Sequence, residues 1–209
     1  MTEELSRRER RKLETRREIL EAALDCFADK GYHSTGISDI AKRVGIAQGT
    51  FYLYFENKRD IVEEVLNELM TRFAEAAAAV PPDAPTTLAG YQAQAEEIST
   101  GLVRVITEDA RAARFLLLQA SAVDAEMAER VLDFYDIGAV LGASYLQHGV
   151  DAGYFRMDLN VDAASRSING MLIAAATYNL RAREVGAVDE LARTIREIIY
   201  YGLTGPPSA

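Results

Sequence analysis

Between positions 35 and 58 the chain reads Thr-Gly-Ile-Ser-Asp-Ile-Ala-Lys-Arg-Val-Gly-Ile-Ala-Gln-Gly-Thr-Phe-Tyr-Leu-Tyr-Phe-Glu-Asn-Lys. The side chains there that could do chemistry are Gln48, Thr50, Tyr52 and Tyr54, an amide and three hydroxyls that donate and accept hydrogen bonds. Such groups on one face of a helix suit the major groove, where they meet base edges and phosphates. The chemistry is recognition of DNA.

Two short helices must hold that face outward. Ile37, Ile40, Ala41 and Val44 fall at helical spacing and give the first one a buried side. Gly45 then breaks the pattern, free to take the positive φ of a sharp inter-helix turn, and Ile46 can plug the angle behind it. In the second segment Phe51 and Phe55 are four apart and point inward, which leaves the hydrogen-bonding residues outside. Gly49 carries no side chain at the point of closest approach, so the helix N-terminus can come near a phosphate.

This block is similar to the N-terminal helix-turn-helix of the tetracycline-repressor (TetR) family of transcription regulators. That signature runs Thr-Thr-x-x-x-Ile-Ala-x-x-Ala-Gly-Val-Ser-x-Gly-Thr-x-Tyr-x-Tyr/His-Phe-x-x-Lys, and the match covers Thr35, Ile40, Ala41, Gly45, Gln48 to Thr50, Tyr52, Tyr54, Phe55 and Lys58. The chain departs from it at Gly36, where a second Thr is usual, and at Ala47, where Ser is usual, so a hydroxyl is missing at each. Thr35 is then left to carry capping and phosphate contact alone. The resemblance implies a DNA-contacting set of Arg16, Arg17, Thr35, Ser38, Ala47, Gln48, Gly49, Thr50, Tyr52, Tyr54 and Lys58, with Lys58, Arg16 and Arg17 on phosphates.

Upstream, residues 5–17 hold seven basic side chains against Glu9 and Glu14, just before a helix expected to begin around Leu13. Arg7 to Lys12 read equally as a solvated, partly disordered tail or as an arm along phosphates, while Arg16 and Arg17 lie on the helix itself.

The 209 residues are 49% apolar, enough for a full core, and carry a net charge of −9. That charge is unevenly spread: residues 1–60 hold 12 Lys+Arg against 11 Asp+Glu, and the remaining 149 hold 11 against 21. A phosphate feels the local balance within a Debye length of about 10 Å, so the acidic total does not exclude DNA. The charged N-terminus lacks an export signal's apolar region, and no apolar run approaches the roughly 18 residues that span a bilayer, so a cytoplasmic location is expected with no membrane partner. The one cysteine, Cys26, beside Phe27 and a turn after Ala22 and Ala23, reads as a small buried hydrophobe.

From Lys58 onward the pattern is helical almost throughout. Asn57 can cap the next helix with Asp60 reciprocating, and Val62, Val65, Leu66, Leu69 and Phe73 line one face before Pro81-Pro82. Further stripes run through Leu88 to Ile106, Phe115 to Leu118, Met127 to Tyr145, Ala163 to Arg181, and Val188 to Ile199. The expected fold is all-α, about nine helices: a three-helix helix-turn-helix DNA-binding domain with its arm over residues 1–57, and a helical effector-binding and dimerisation domain over 58–209.

In the last two helices Ile168, Leu172, Ala175 and the small residues Gly170, Ala174 and Ala176 permit close approach by another helix. Two copies would form a four-helix bundle, the dimer contact that the resemblance also implies. His33 and His148 stand alone, no metal-ligand spacing or phosphate-cradling glycine loop is present, and neither an enzyme nor a cofactor is expected. Two functions remain: a ligand-responsive regulator, by resemblance a repressor binding a palindromic operator as a homodimer and released by a small apolar or amphipathic molecule, or an architectural DNA-binding protein with no effector. Phe73, Tyr91, Phe115, Gln119, Tyr145, His148, Asn169 and Tyr178 are the side chains that would line and orient a ligand among the helices. Singly, each is accounted for by packing or exposure; together they make a cavity the expectation.

Overall fold

A computed structural model describes residues 6–180 and 185–205. Among these, nine α-helices and one 3-10 turn succeed one another: α1 (Arg7–Lys30), α2 (Ile37–Val44), α3 (Gln48–Phe51), α4 (Lys58–Ala78), α5 (Leu88–Glu108), α6 (Ala110–Leu118), the turn Ala120–Ala122, α7 (Ala125–Asp151), α8 (Val161–Asn179) and α9 (Val185–Thr204). The all-α expectation holds.

Helix α1 starts two turns earlier than expected, at Arg7 rather than near Leu13. A capping box sets that start: Glu9 N–H donates to Ser6 Oγ at 3.3 Å, and Ser6 N–H donates to the Glu9 carboxylate at 2.9 Å. The same device opens α4, where Asn57 Oδ1 accepts from the N–H groups of Arg59 and Asp60 at 2.7 and 3.2 Å, and Asp60 accepts from Glu56 N–H at 2.8 Å. Gly45 ends α2 with φ of 82°, a left-handed turn that a side chain would strain.

One apolar cluster runs from the N-terminal helices into the rest of the molecule. Ile19, Ala23 and Phe27 of α1 meet Ile40, Phe51 and Phe55, and continue through Leu66 and Leu69 to Phe115, Leu116, Met127 and Val131. A second cluster gathers Tyr91, Tyr145, Leu146, Phe155 and Leu203. The body is thereby built from two closely packed helix pairs, α4 with α5 and α7 with α8, joined at the head end by α6. Gly142 permits the second pairing, since a Cβ there would strike Ser165, whose hydroxyl donates to Ala139 O at 2.6 Å inside the contact.

Helix α9 packs on α8, and its end is tied down where the backbone N–H of Arg156 donates to Leu203 O at 3.1 Å. The side chain of Val188, placed on the last stripe by sequence, lies outside the described residues. No described helix is long and apolar enough to cross a membrane.

Candidate nucleic-acid interface

The buried half of the reading unit is secured first. Phe51 and Phe55 are buried, with ring centroids 5.9 Å apart, in the same apolar cluster as Ile40 of α2. With that side fixed, Ser38, Ala47, Gln48 and Gly49 are exposed, Thr50 is half-buried, and Tyr52 is 51% exposed. A Cβ at Gly49 would meet nothing within 4 Å, so no neighbour inside the molecule demands glycine there. Leu53, which the sequence pattern does not single out, is 74% exposed beside Tyr52.

Four members of the expected contact set turn inward instead. Thr35 is buried, and its hydroxyl donates to the carbonyls of Gly31 and Cys26 at 2.8 and 3.1 Å; Gly36, not Thr35, occupies the cap position of α2. The missing cap is supplied from within the helix, where Asp39 accepts from Gly36 N–H at 3.0 Å. Its carboxyl is held below the ordinary range by Lys30, which donates to it at 2.8 Å, and by that backbone bond.

Lys58 lies over the Tyr32 ring, 4.3 Å from its centroid, and donates to the carbonyls of Tyr32, Thr35 and His33 at 2.6, 2.9 and 3.4 Å. Arg16 donates to Tyr54 O, pairs with Glu64 and stacks over the Phe55 ring at 4.2 Å. Tyr54 itself is half-buried against the core. In the free chain both cations are engaged by protein partners around the recognition segment. Arg17 remains outward, 82% exposed, and among the described residues it pairs only with Glu21 at i,i+4.

Residues 19–65, which contain this whole unit, match the family model for bacterial regulatory proteins of the tetR family. The transcriptional repressor KstR2 of Mycolicibacterium smegmatis is 34% identical over 160 residues, 73% of each chain. The chain belongs to the TetR family.

The fatty acid metabolism regulator protein of Bacillus subtilis is 47% identical over 58 residues, but these are 28% of this TetR-family chain and 30% of that protein. The fold matches the crystal structure of FadR from Bacillus subtilis in complex with stearoyl-CoA, with a TM-score of 0.67, 22% identity, and coverage of 90% of this chain and 98% of that one.

In the body of this TetR-family chain the expected ligand residues are not gathered into one site. Phe73 and Phe115 belong with the first cluster, Phe73 against Phe134 and Phe115 against Phe27 with centroids 5.6 and 5.3 Å apart. Tyr91 and Tyr145 belong to the second. Several polar tips already have partners: Tyr145 donates to Val80 O at 2.6 Å and Ala77 O at 2.9 Å, His148 Nε2 lies 2.7 Å from Pro85 O, and Asn169 donates to Tyr135 O at 2.8 Å. Gln119 closes α6 through its backbone, and Tyr178 is exposed on α8.

Other residues edge the two clusters. Phe134 and Tyr135 lie at the edge of the first, while Ile98 and Leu141 edge the second. Burial pushes the Tyr135 phenol above its ordinary range. Leu102, Ile106, Leu117, Leu118 and Met171 are half-buried and packed into neither cluster. The apolar run over positions 115–118 and the small-residue composition of α8 mark these helices in the sequence, but not which of their side chains join neither cluster.

Proposed function

We propose that this TetR-family regulator is a repressor that binds a palindromic operator as a homodimer and releases it on binding an apolar or amphipathic small molecule. Residues 1–57 are the reading unit in this proposal and residues 58–209 the effector-binding and dimerisation unit. The observation that carries it is the outward face of Gln48, Gly49, Thr50 and Tyr52 on a segment whose other side, Phe51 and Phe55, is buried. A rigid recognition face with exposed amide and hydroxyl groups is what base-edge reading requires.

Dimerisation is assigned to α8 and α9. Ala163, Ser167, Gly170 and Ala174 leave a row of small exposed residues on α8, and Ile198 and Tyr201 of α9 are 55% and 68% exposed. Small residues allow a partner helix close, and the exposed apolar side chains supply area to bury against it.

The effector is assigned to the seam between the two helix pairs, bordered by Leu102, Ile106, Phe134, Tyr135 and Met171. Half-buried apolar side chains together with the half-buried phenol of Tyr135 are what an amphipathic molecule would require there. The stearoyl-CoA held by the structurally similar FadR is such a molecule. Linkage then requires it to bind the DNA-free arrangement more tightly, by about 1–3 kcal/mol, with operator weakening effector binding by the same factor.

One observation favours the architectural reading: the polar tips of Tyr145, His148 and Asn169 already have partners inside the protein. Selection of bound duplexes from a random pool, followed by titration of the selected operator with stearoyl-CoA and with free stearate, separates the two. Enrichment of a palindrome and its release by either molecule is expected. Enrichment of bent or A-tract duplexes with no shared motif, unaffected by either, would assign the architectural role.

A further inference from the structure

Helix α1 stands clear of the molecule for its first two turns. Every residue from Arg7 to Glu14 is exposed, and the first fully buried residue is Ile19. At 1.5 Å per residue those eight positions form a rod about 12 Å long. It begins at a defined cap, and the Glu9 carboxyl is held below its ordinary range by the Ser6 hydroxyl and then the Ser6 backbone.

The rod is cationic. It carries Arg7, Arg8, Arg10, Arg11 and Lys12, and among the described residues none of these five has a carboxylate within 4.0 Å. Elsewhere the cations are mostly engaged: Arg43 with Asp25 and Asp29, Arg59 with Asp124 and Glu126, Arg72 with Glu108, Arg111 with Asp25, and Arg166 with Asp136. Arg8, Arg11, Lys12 and Thr15 fall on one side at i, i+3, i+4 and i+7, an acid-free basic stripe. Five like charges on adjacent turns repel one another, and an external polyanion would relieve that repulsion.

The position of the rod says which polyanion. The C-terminal half of α1 abuts the body through the Phe27–Phe115 contact, so the free turns leave from the opposite end. As they leave they pass Tyr54, to whose carbonyl Arg16 donates, at the end of the recognition segment that exposes Tyr52 and Leu53. A membrane-surface helix needs an apolar face, whereas Leu13 is the one apolar residue from Arg7 to Glu18.

We infer that Arg7 to Lys12 form a second DNA-contacting element, a preformed helical arm that lies on backbone phosphates flanking the bases met by the recognition segment. The inference rests on the DNA-binding reading under Proposed function and adds to it a site outside the helix-turn-helix. The arm reads no bases; it adds affinity and lengthens the footprint.

The test uses the full chain and its quadruple variant Arg7→Gln, Arg8→Gln, Arg11→Gln and Lys12→Gln, with circular dichroism to verify that the fold persists. Both are titrated against the selected operator in a minimal duplex and in one lengthened by five base pairs at each end, over a range of salt concentrations. The wild-type chain is expected to bind the longer duplex at least tenfold more tightly and the variant equally to both. The variant should also show a salt slope lower by roughly 0.9 for each phosphate that the arm no longer neutralises, with its base preference unchanged. Equal affinity of the wild-type chain for both duplexes, or an unchanged slope in the variant, overturns the arm and leaves the recognition segment standing. No sequence preference in the wild-type chain would overturn base reading by the recognition segment, while the duplex-length effect would still decide the arm. Binding of the wild-type chain, but not the variant, to phosphatidylserine vesicles without the duplex-length effect would assign the arm to a membrane instead.

Discussion

The ammonium of Lys58, at the first position of α4, sits 4.3 Å above the Tyr32 ring while donating to the carbonyls of Tyr32 and Thr35. Three elements are pinned by one side chain: the end of α1, the entry to α2 and the start of the body. Desolvation pushes the Lys58 pKa below its ordinary value, the cost of drawing a cation into that junction.

Lys58→Met should therefore act on stability more than on phosphate contact. Leaving the carbonyls without their donor is expected to cost about 2 kcal/mol, read from the shift in urea midpoint. The salt slope of operator binding should stay as in the wild-type chain. A slope lower by about 0.9 with unchanged stability would return Lys58 to the phosphate-contacting set.

Arg16 and Glu64 make a sharper comparison, because neutralising either breaks the same pair beside Tyr54. If the pair positions the recognition segment, Arg16→Gln and Glu64→Gln both weaken operator binding, and the double variant is little worse than either alone. If Arg16 instead contacts phosphate, Glu64→Gln frees it and strengthens binding. Operator titrations on the three variants decide between these outcomes.

Gln48 is the outward residue best suited to a bidentate contact with adenine. Gln48→Ala should cost roughly 1–3 kcal/mol at one operator position and relax the preference there, in each half-site. Repeating the duplex selection with the variant checks this; an unchanged motif would remove Gln48 from the reading set.

What is legible in the sequence is what short-range pattern encodes. The spacing of Phe51 and Phe55, the break at Gly45 and the Asn57–Asp60 box lie within a few residues, so helix period and cap chemistry define the reading unit's elements. The Ser6–Glu9 box is equally local, but seven cations dominate that segment and mask it. Thr35, Arg16, Lys58 and Tyr145 escape a sequence reading for another reason. Their partners are mostly backbone carbonyls, at separations that reach 38 residues for Arg16 to Tyr54 and 68 for Tyr145 to Ala77, and a carbonyl leaves no mark in a residue pattern. The expected effector residues are scattered by the same cause, since a split between two apolar clusters is a property of packing across helices.

Ile198 and Tyr201 are more exposed on α9 than residues closing only their own core would be. Ile198→Asp and Tyr201→Asp should each reduce the dimer to monomers in sedimentation and lose palindromic operator binding, because an unpaired charge would be buried at the contact. Both positions face outward in the isolated chain, so the monomer's melting temperature should hardly move. Persistence of a dimer in both variants would place the interface elsewhere.

The start of α4 is tied to the start of α7 by a second junction that titrates. Arg59 donates to Asp124 at 2.8 Å and also pairs with Glu126, while Asp124 caps α7 by accepting from Met127 N–H at 2.8 Å. Arg59, and then the Met127 amide, hold the Asp124 carboxyl below its ordinary value of 3.8. The folded-state pKa is depressed, so the contribution to stability is complete above the unfolded value and is lost as pH falls through the folded one. Asp124→Asn keeps an acceptor for the α7 cap but removes the charge opposite Arg59. Thermal melts should show the wild-type chain ahead of the variant by a constant margin at about pH 5 and above, with the margin closing below pH 3.8 as the wild-type carboxyl becomes neutral. A margin that does not narrow as the pH falls below 3.8 would show that the substitution acts through the cap, and that the Arg59 pair contributes little to tying α4 to α7.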